Sequence, residues 1–284
     1  MADTKAKNTR LPRNFHKTFI PERRYIHAML QFASTGKSGD SQAIALATGI
    51  PTGSSSGKVM PTLDYCRGMG LISLPESSMR NTTKEPRLTP FGRVVLLEDP
   101  FLKEAVTQWI AHFNLCGSLC GADIWHQLFF HGTQALGSSF QRPQLENYLK
   151  GVYGVQHGNL IGPLVRMYED PAAFASCGAL REANSVIRRI PPPINDEYSW
   201  GYAAWILDAI EQFFPQATQI TVTELDRAAG WKTIPGWGID EFQQVLRLLE
   251  RKGILSVDRH MNPWILQRTG IRSNLWIKIY DDLL

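Results

Sequence analysis

The chain has 284 residues, 43% of them hydrophobic and 20% charged, with a formal net charge of +4. That balance describes a globular protein with room for two or three small cores and excludes disordered or collagen-like chains. No apolar run reaches a bilayer span, the polar N-terminus lacks a signal-peptide core and the four cysteines show no paired framework, so a reduced, cytoplasmic setting is expected.

The charge is unevenly placed. Residues 1–24 carry seven basic side chains against two acidic ones, a net +5. Residues 1–20 read as a basic arm that can lie along a phosphate backbone and release counterions; a solvated tail is the competing reading. Phe15, His16, Lys17, Thr18 and Phe19 interleave rings with polar groups. Pro21, Glu22, Arg23, Arg24 and Tyr25 then open the first helix, with Ile26, Met29, Leu30 and Phe32 on its apolar face.

Residues 21–97 have the pattern of a winged helix-turn-helix. A short helix over 42–48 is closed by Gly49. In a second helix Leu63, Cys66 and Met69 recur at helical spacing, with Pro61 in its first turn, and Gly68 and Gly70 end it. Leu71 and Ile72 start a strand, a polar loop fills 75–85, and Arg87 with Leu88 returns as a second strand. A phosphate-loop reading fails, because Gln31 and Thr52 stand where that motif needs a glycine, so no ATP site is expected. Ser54, Ser55, Ser56, Gly57 and Lys58 instead form a donor-rich approach to the second helix, suited to a phosphate or to capping. The expected DNA contacts are Arg13, Lys58, Arg67 on the outer helix face, Arg80, Lys84 and Arg87 in the wing, and Arg93 beyond it.

Residues 98–193 read as a helical middle domain. Phe101, Ala105, Trp109, His112 and Phe113 mark an amphipathic helix. His112, Cys116 and Cys120 fall at i, i+4 and i+8 and are zinc-type ligands. Such a set drifts along one helix and glycines interrupt it, so core packing without zinc is expected. Helices over 143–149 and 159–167 and a short strand pair over 177–180 and 186–190 precede a proline linker at 191–193.

Residues 194–284 repeat the winged-helix order. A helix around Trp200 and Ile210 leads to one capped at Thr221 and ended by Gly230. A recognition-type helix follows through Ile239, Phe242, Val245, Leu246 and Leu249, with strands over 254–257 and 275–279 around a wing bearing Arg259, His260, Arg268 and Arg272. Its outer face carries Gln243, Gln244, Arg247 and Arg251, but Asp240 and Glu241 at its N-terminus suit the helix dipole and oppose phosphate, which points to packing or a protein partner. The expected fold is mostly α with small β wings (α+β): two winged helix-turn-helix modules around a helical middle domain.

The ordered motifs resemble a bacterial family found beside DNA phosphorothioation and phage-defence genes, whose members include SspB-type nicking proteins. Phe15, His16, Lys17, Thr18 and Phe19 with Arg23 and Arg24 are similar to its F-x-x-H-E-T-F-x-x-R opening, with Lys17 where relatives carry Glu. Gly57, Lys58, Val59 and Met60 resemble its G-K-N-M stretch, and Leu88, Thr89, Gly92 and Arg93 its L-T-x-x-G-R. Trp109 with His112 resembles W-x-x-H, and Arg166, Met167 and Tyr168 resemble R-M-Y. The resemblance implies DNA nicking in single-strand phosphorothioation, with double-stranded DNA, a cysteine desulfurase, an ATPase and a sulfur-activating enzyme as partners.

A nick requires a nucleophile, charge stabilisation on the phosphate and a proton for the leaving oxygen. No D-x-n-E-x-K core or H-N-H cluster is present. The expected catalytic set is therefore His16 as acid or base, with Lys17, Arg23 and Arg24 stabilising charge; packing is the alternative for His16. Mg²⁺ dependence stays open. A non-catalytic winged-helix adaptor that recruits sulfur-transfer proteins to DNA is the second functional reading.

Overall fold

The computed structural model describes residues 10–53, 57–154, 158–269 and 274–283. Leu11 docks against the middle of the chain: its N–H donates to Gly121 O (2.8 Å), and Asp123 N–H donates back to Leu11 O (3.0 Å). The helices α1 (Arg23–Ser34), α2 (Ser41–Thr48) and α3 (Val59–Gly68) follow. Asp40 caps α2 by accepting Ala43 N–H, and Gly49 closes it at φ 70°, a left-handed turn that costs glycine little. Strands β1 (Ile72–Ser73) and β2 (Arg87–Leu88) pair antiparallel. Between them α4 (Glu76–Arg80) forms within the stretch expected to be a loop. The donor-rich serines 54–56 lie outside the described residues, as does Arg272.

Helix α5 (Pro90–Glu98) starts on Thr89, whose hydroxyl accepts Gly92 N–H and donates to Gly70 O (2.6 Å). Gly92 lies so close to the preceding hairpin that a Cβ there would sit 1.8 Å from Leu71 O. Helix α6 (Ala105–Leu115) begins four residues after Phe101, later than expected. The Asp99 carboxylate takes up the Lys103 and Glu104 N–H groups, and Leu102 adopts φ 49°. α7 (Asp123–His126) runs through a π-helical turn (Gln127–His131) into α8 (Thr133–Leu136).

Two units of identical wiring then follow. The first is β3 (Ser139–Gln141), α9 (Arg142–Tyr153), α10 (Gly158–Arg166), β4 (Leu180–Ala183) and β5 (Val186–Arg189), with sheet order β3-β5-β4. After α11 (Asp196–Phe213) the second is β6 (Gln219–Thr221), α12 (Val222–Ala229), α13 (Ile239–Arg251), β7 (Leu255–Asp258) and β8 (Ile265–Arg268), with order β6-β8-β7. The middle of the chain is thus not purely helical.

The strand expected over 275–279 is instead a 3₁₀ turn, Leu275–Lys278, with Ile265–Arg268 as the true returning strand. Asn274 caps Trp276 N–H, and Leu275, Trp276 and Ile279 all bury toward α5 and α11, a helical rather than alternating spacing. The buried side chains form one continuous cluster across every unit. Among the described residues no helix is long and apolar enough to cross a membrane.

Gly92→Ala is expected to lower stability by about 3 kcal/mol or more, since the added methyl meets a backbone carbonyl that cannot rotate away. Gly151→Ala, in α9 with nothing within 4 Å, is expected to be neutral or to stabilise by up to about 1 kcal/mol. Urea unfolding of both variants measures the contrast.

Candidate nucleic-acid interface

Residues 12–19 fold as consecutive turns, Phe15 N–H to Pro12 O, Lys17 N–H to Asn14 O and Phe19 N–H to His16 O. These turns send successive pairs of side chains to opposite sides. Phe15 and His16 enter the core, whereas Lys17 and Thr18 face solvent, Lys17 at φ 54°. Phe15 packs edge-on against Tyr65 at 4.8 Å and His16 edge-on against Trp125 at 5.7 Å. The Tyr65 hydroxyl donates to Phe19 O (3.1 Å) and ties this segment to α3.

His16 is fully buried, and neither ring nitrogen has a hydrogen-bond partner among the described residues. Desolvation outweighs the nearby Lys17 backbone and lowers the imidazole pKa to about 4, so it is neutral at pH 7. The acid–base role expected of it therefore has no solvent-facing nitrogen to act through. His112 is also buried, against Phe129 and Tyr168. Trp125 Nε1–H donates to the Tyr168 hydroxyl (2.9 Å), which shares a hydrogen bond of 2.7 Å with His112 Nδ1. Burial lowers the His112 pKa to about 3.

The expected cations occupy several different settings. Arg23 donates to Phe101 O (3.1 Å) and Pro171 O (2.7 Å), fastening α1 to the middle of the chain. Arg24 and Lys58 come together on either side of Glu22: the Arg24 side chain, 66% exposed, pairs with the carboxylate at 2.8 Å, and Lys58 pairs with its other oxygen. Lys58 Nζ also lies 5.0 Å above the Tyr25 ring. Arg13 stacks over Tyr153 at 4.9 Å. Arg67 pairs with Asp64 at 3.7 Å and borders a cleft of about 330 Å³ shared with Asn114, Cys120, Trp205 and Asp208. Burial pushes the Asp64 carboxyl up to about 6 against the pull of Arg67 and Lys84.

Lys84 does not face outward. Its ammonium donates to the carbonyls of Ser78 (2.9 Å), Met79 (3.1 Å) and Asn81 (2.6 Å), so it closes the C-terminal end of α4 and is 8% exposed. The expected DNA contact at Lys84 gives way to that local structural role. Arg80 and Arg93 are exposed, and Arg87 is exposed but held by Glu85 at 2.9 Å. Cys116 and His112 lie 3.6 Å apart in the core, while α6 stops at Leu115 and Cys120 is exposed, so the three do not share one helix face.

Sequence reasoning passed over Glu22, the acid that holds Arg24 and Lys58 in register, although its place directly before two arginines was a usable signal. It quoted Arg166 only within the R-M-Y match, without a role for its charge, which reaches the Tyr65 hydroxyl, and it passed over Arg181 and Arg188 on the β4–β5 hairpin. The first module thus presents Lys17, Arg24, Lys58, Arg80, Arg87 and Arg93 toward water in varying degrees, with no concentrated catalytic cluster among the described residues.

No family model matches the chain, and no curated protein does so. Two solved structures do. A magnesium ion-bound SspB crystal structure aligns with a TM-score of 0.69 at 15% identity, covering 98% of this chain and 90% of that one. An SspB crystal structure gives 0.67 and 15%, covering 98% and 88%. The fold is of the SspB type. The SspB-type architecture therefore extends through all the units above, from the docked N-terminal segment to the 3₁₀ turn.

Stability is expected to fall as pH drops from about 6.5 to 4. His16, His112 and His126 have folded pKa values depressed to about 4, 3 and 4, so the unfolded chain binds protons first. The stability they allow is present above 6.5 and lost toward the folded values. Asp64, raised to about 6, works oppositely and offsets part of the loss below pH 6. For His16 alone the loss is about 3 kcal/mol. Thermal melts of His16→Leu against wild type across this range should show a flatter profile for the variant.

Proposed function

We propose that this chain engages duplex DNA and nicks it within a single-strand phosphorothioation and phage-defence system. The observation that carries this reading is the SspB-type fold over 98% of the chain. Within it, α2, α3 and the β1–β2 hairpin act as a winged helix-turn-helix, and the β6 to β8 unit as a second one. Lys17, Arg24, Lys58 and the exposed arginines 80, 87 and 93 meet backbone phosphates, which makes binding strongly salt-dependent. The sulfur-transfer partners implied by the sequence resemblance, a cysteine desulfurase, an ATPase and a sulfur-activating enzyme, belong to the same proposal.

At the scissile phosphate, Lys17 and Arg24 stabilise developing charge from the solvent side. His16 and Arg23 support them from behind, the first by filling the aromatic junction and the second by locking α1 in place. The described carboxylates, histidines and cysteines do not converge as a set of three that would cage a metal ion. Mg²⁺ is accordingly a variable of the assay, and no step is assigned to it. One observation favours the adaptor reading, in which DNA is bound but not cut: the only imidazole of the N-terminal motif lies in the core.

Supercoiled-plasmid relaxation by highly purified protein, with Mg²⁺ and with EDTA, beside gel-shift binding on the same preparation, decides between them. Arg24→Ala is expected to lower nicking and affinity together and to reduce the salt slope by about one unit. Wild-type protein that shifts duplex DNA yet never relaxes the plasmid would establish the adaptor. Protein that does neither would remove the DNA reading.

A further inference from the structure

The two β-α-α-β-β units share one sheet order and one strand register, so their paired positions correspond. In the C-terminal unit Ser256 pairs with Gln267, which pairs in turn with Gln219. In the middle unit the same three positions are Arg181, Arg188 and Ser139. The C-terminal trio is neutral, and Ser256 and Gln267 contact each other at 3.4 Å. The middle unit instead puts two arginines in directly opposed positions on adjacent strands, the Arg181 guanidinium lying over Gly178.

Like charges in directly opposed positions oppose strand pairing. Neither guanidinium is relieved: both arginines are exposed, and neither forms an ion pair or side-chain hydrogen bond among the described residues. Two carboxylates lie near the hairpin, and both are engaged: Glu182, on the other face of the sheet, by Arg142, and Glu169, at the β4 edge, by the Glu182 N–H (2.8 Å). The outer face holds Ser139, Gln141, Arg181, Ala183 and Arg188 in the exposed state and no acid. The hairpin is tight, closed in two residues by Asn184 (φ 52°) and Ser185 (φ 62°), a turn that matches strand twist.

We propose that this β4–β5 hairpin is a second phosphate clamp, in which Arg181 and Arg188 together grip the backbone of duplex DNA and Ser139 donates alongside them. The clamp rests on the DNA reading above and extends it from the first module to the middle one. Two fork-shaped donors from paired strand positions suit non-bridging phosphate oxygens, and a phosphate held by both offsets the positive charge gathered on this face.

The test grafts the neutral pair of the C-terminal unit onto the middle one, Arg181→Ser with Arg188→Gln, and includes Arg181→Lys with Arg188→Lys. Binding to a labelled duplex is followed against salt, with thermal melting of each free protein. The expected result is a salt slope lower by about one to two units for the neutral variant, kept by the lysine variant, with melting at low salt unchanged or raised. Wild type that binds with a slope identical to that of a folded neutral variant would overturn the clamp and leave the DNA reading standing. Wild type that binds no duplex at all would overturn both. A neutral variant that melts markedly lower would also count against the clamp, because it would show the arginines to be stabilising the free hairpin.

Discussion

The indole of Trp125 is the contact on which the other arrangements rest. Its faces receive Phe15, His16 and Tyr65 at 5.7–5.9 Å between ring centres, and its Nε1–H reaches Tyr168 and through it His112. Those rings come from five separated stretches of chain. Aromatic burial of this size dominates local energetics, and the one donor is satisfied, so the junction carries little polar cost beyond the His16 ring. The N-terminal motif is thereby held against both α3 and the middle of the chain, and Lys17 and Arg24 take their solvent-facing positions from it.

In the first module α1, α2 and α3 were legible because their apolar spacing, caps and glycine stops agree with one another, whereas the five-residue α4 was read as loop. α2 ends at Gly49 and α5 starts at Thr89 for reasons readable in one dimension. β3 was not legible: three residues with only Phe140 buried give no alternation to count, and the strand exists because β5 offers it a partner. The turn at Leu275–Lys278 was misread as a strand because Leu275, Trp276, Ile277 and Ile279 form an apolar run, which periodicity alone cannot assign. Tertiary packing on α5 and α11 decided it.

At the candidate interface, residue type was a fair guide to charge and a poor guide to direction. Lys84 and Arg23 are basic, yet both spend their donors on backbone carbonyls, a use that depends on where chain ends happen to converge. His16 looked reactive from its basic neighbours, but the turn geometry of residues 12–19 puts it on the inner side. The arginine pair at 181 and 188 became visible only through strand register, since seven positions separate the two in sequence.

The 3₁₀ turn near the C-terminus works as a latch between the two ends of the protein. Trp276 lies against Phe91 of α5 with ring centres 4.8 Å apart, and the Tyr280 hydroxyl meets Thr107 of α6 at 2.8 Å. α5 is in turn seated on the β1–β2 hairpin through Thr89 and Gly92. A trim or bulky fusion at residues 274–283 therefore unseats α5 and loosens the N-terminal module, more than 180 positions away along the chain. For anyone engineering this protein, the far end of the polypeptide is mechanically part of its front.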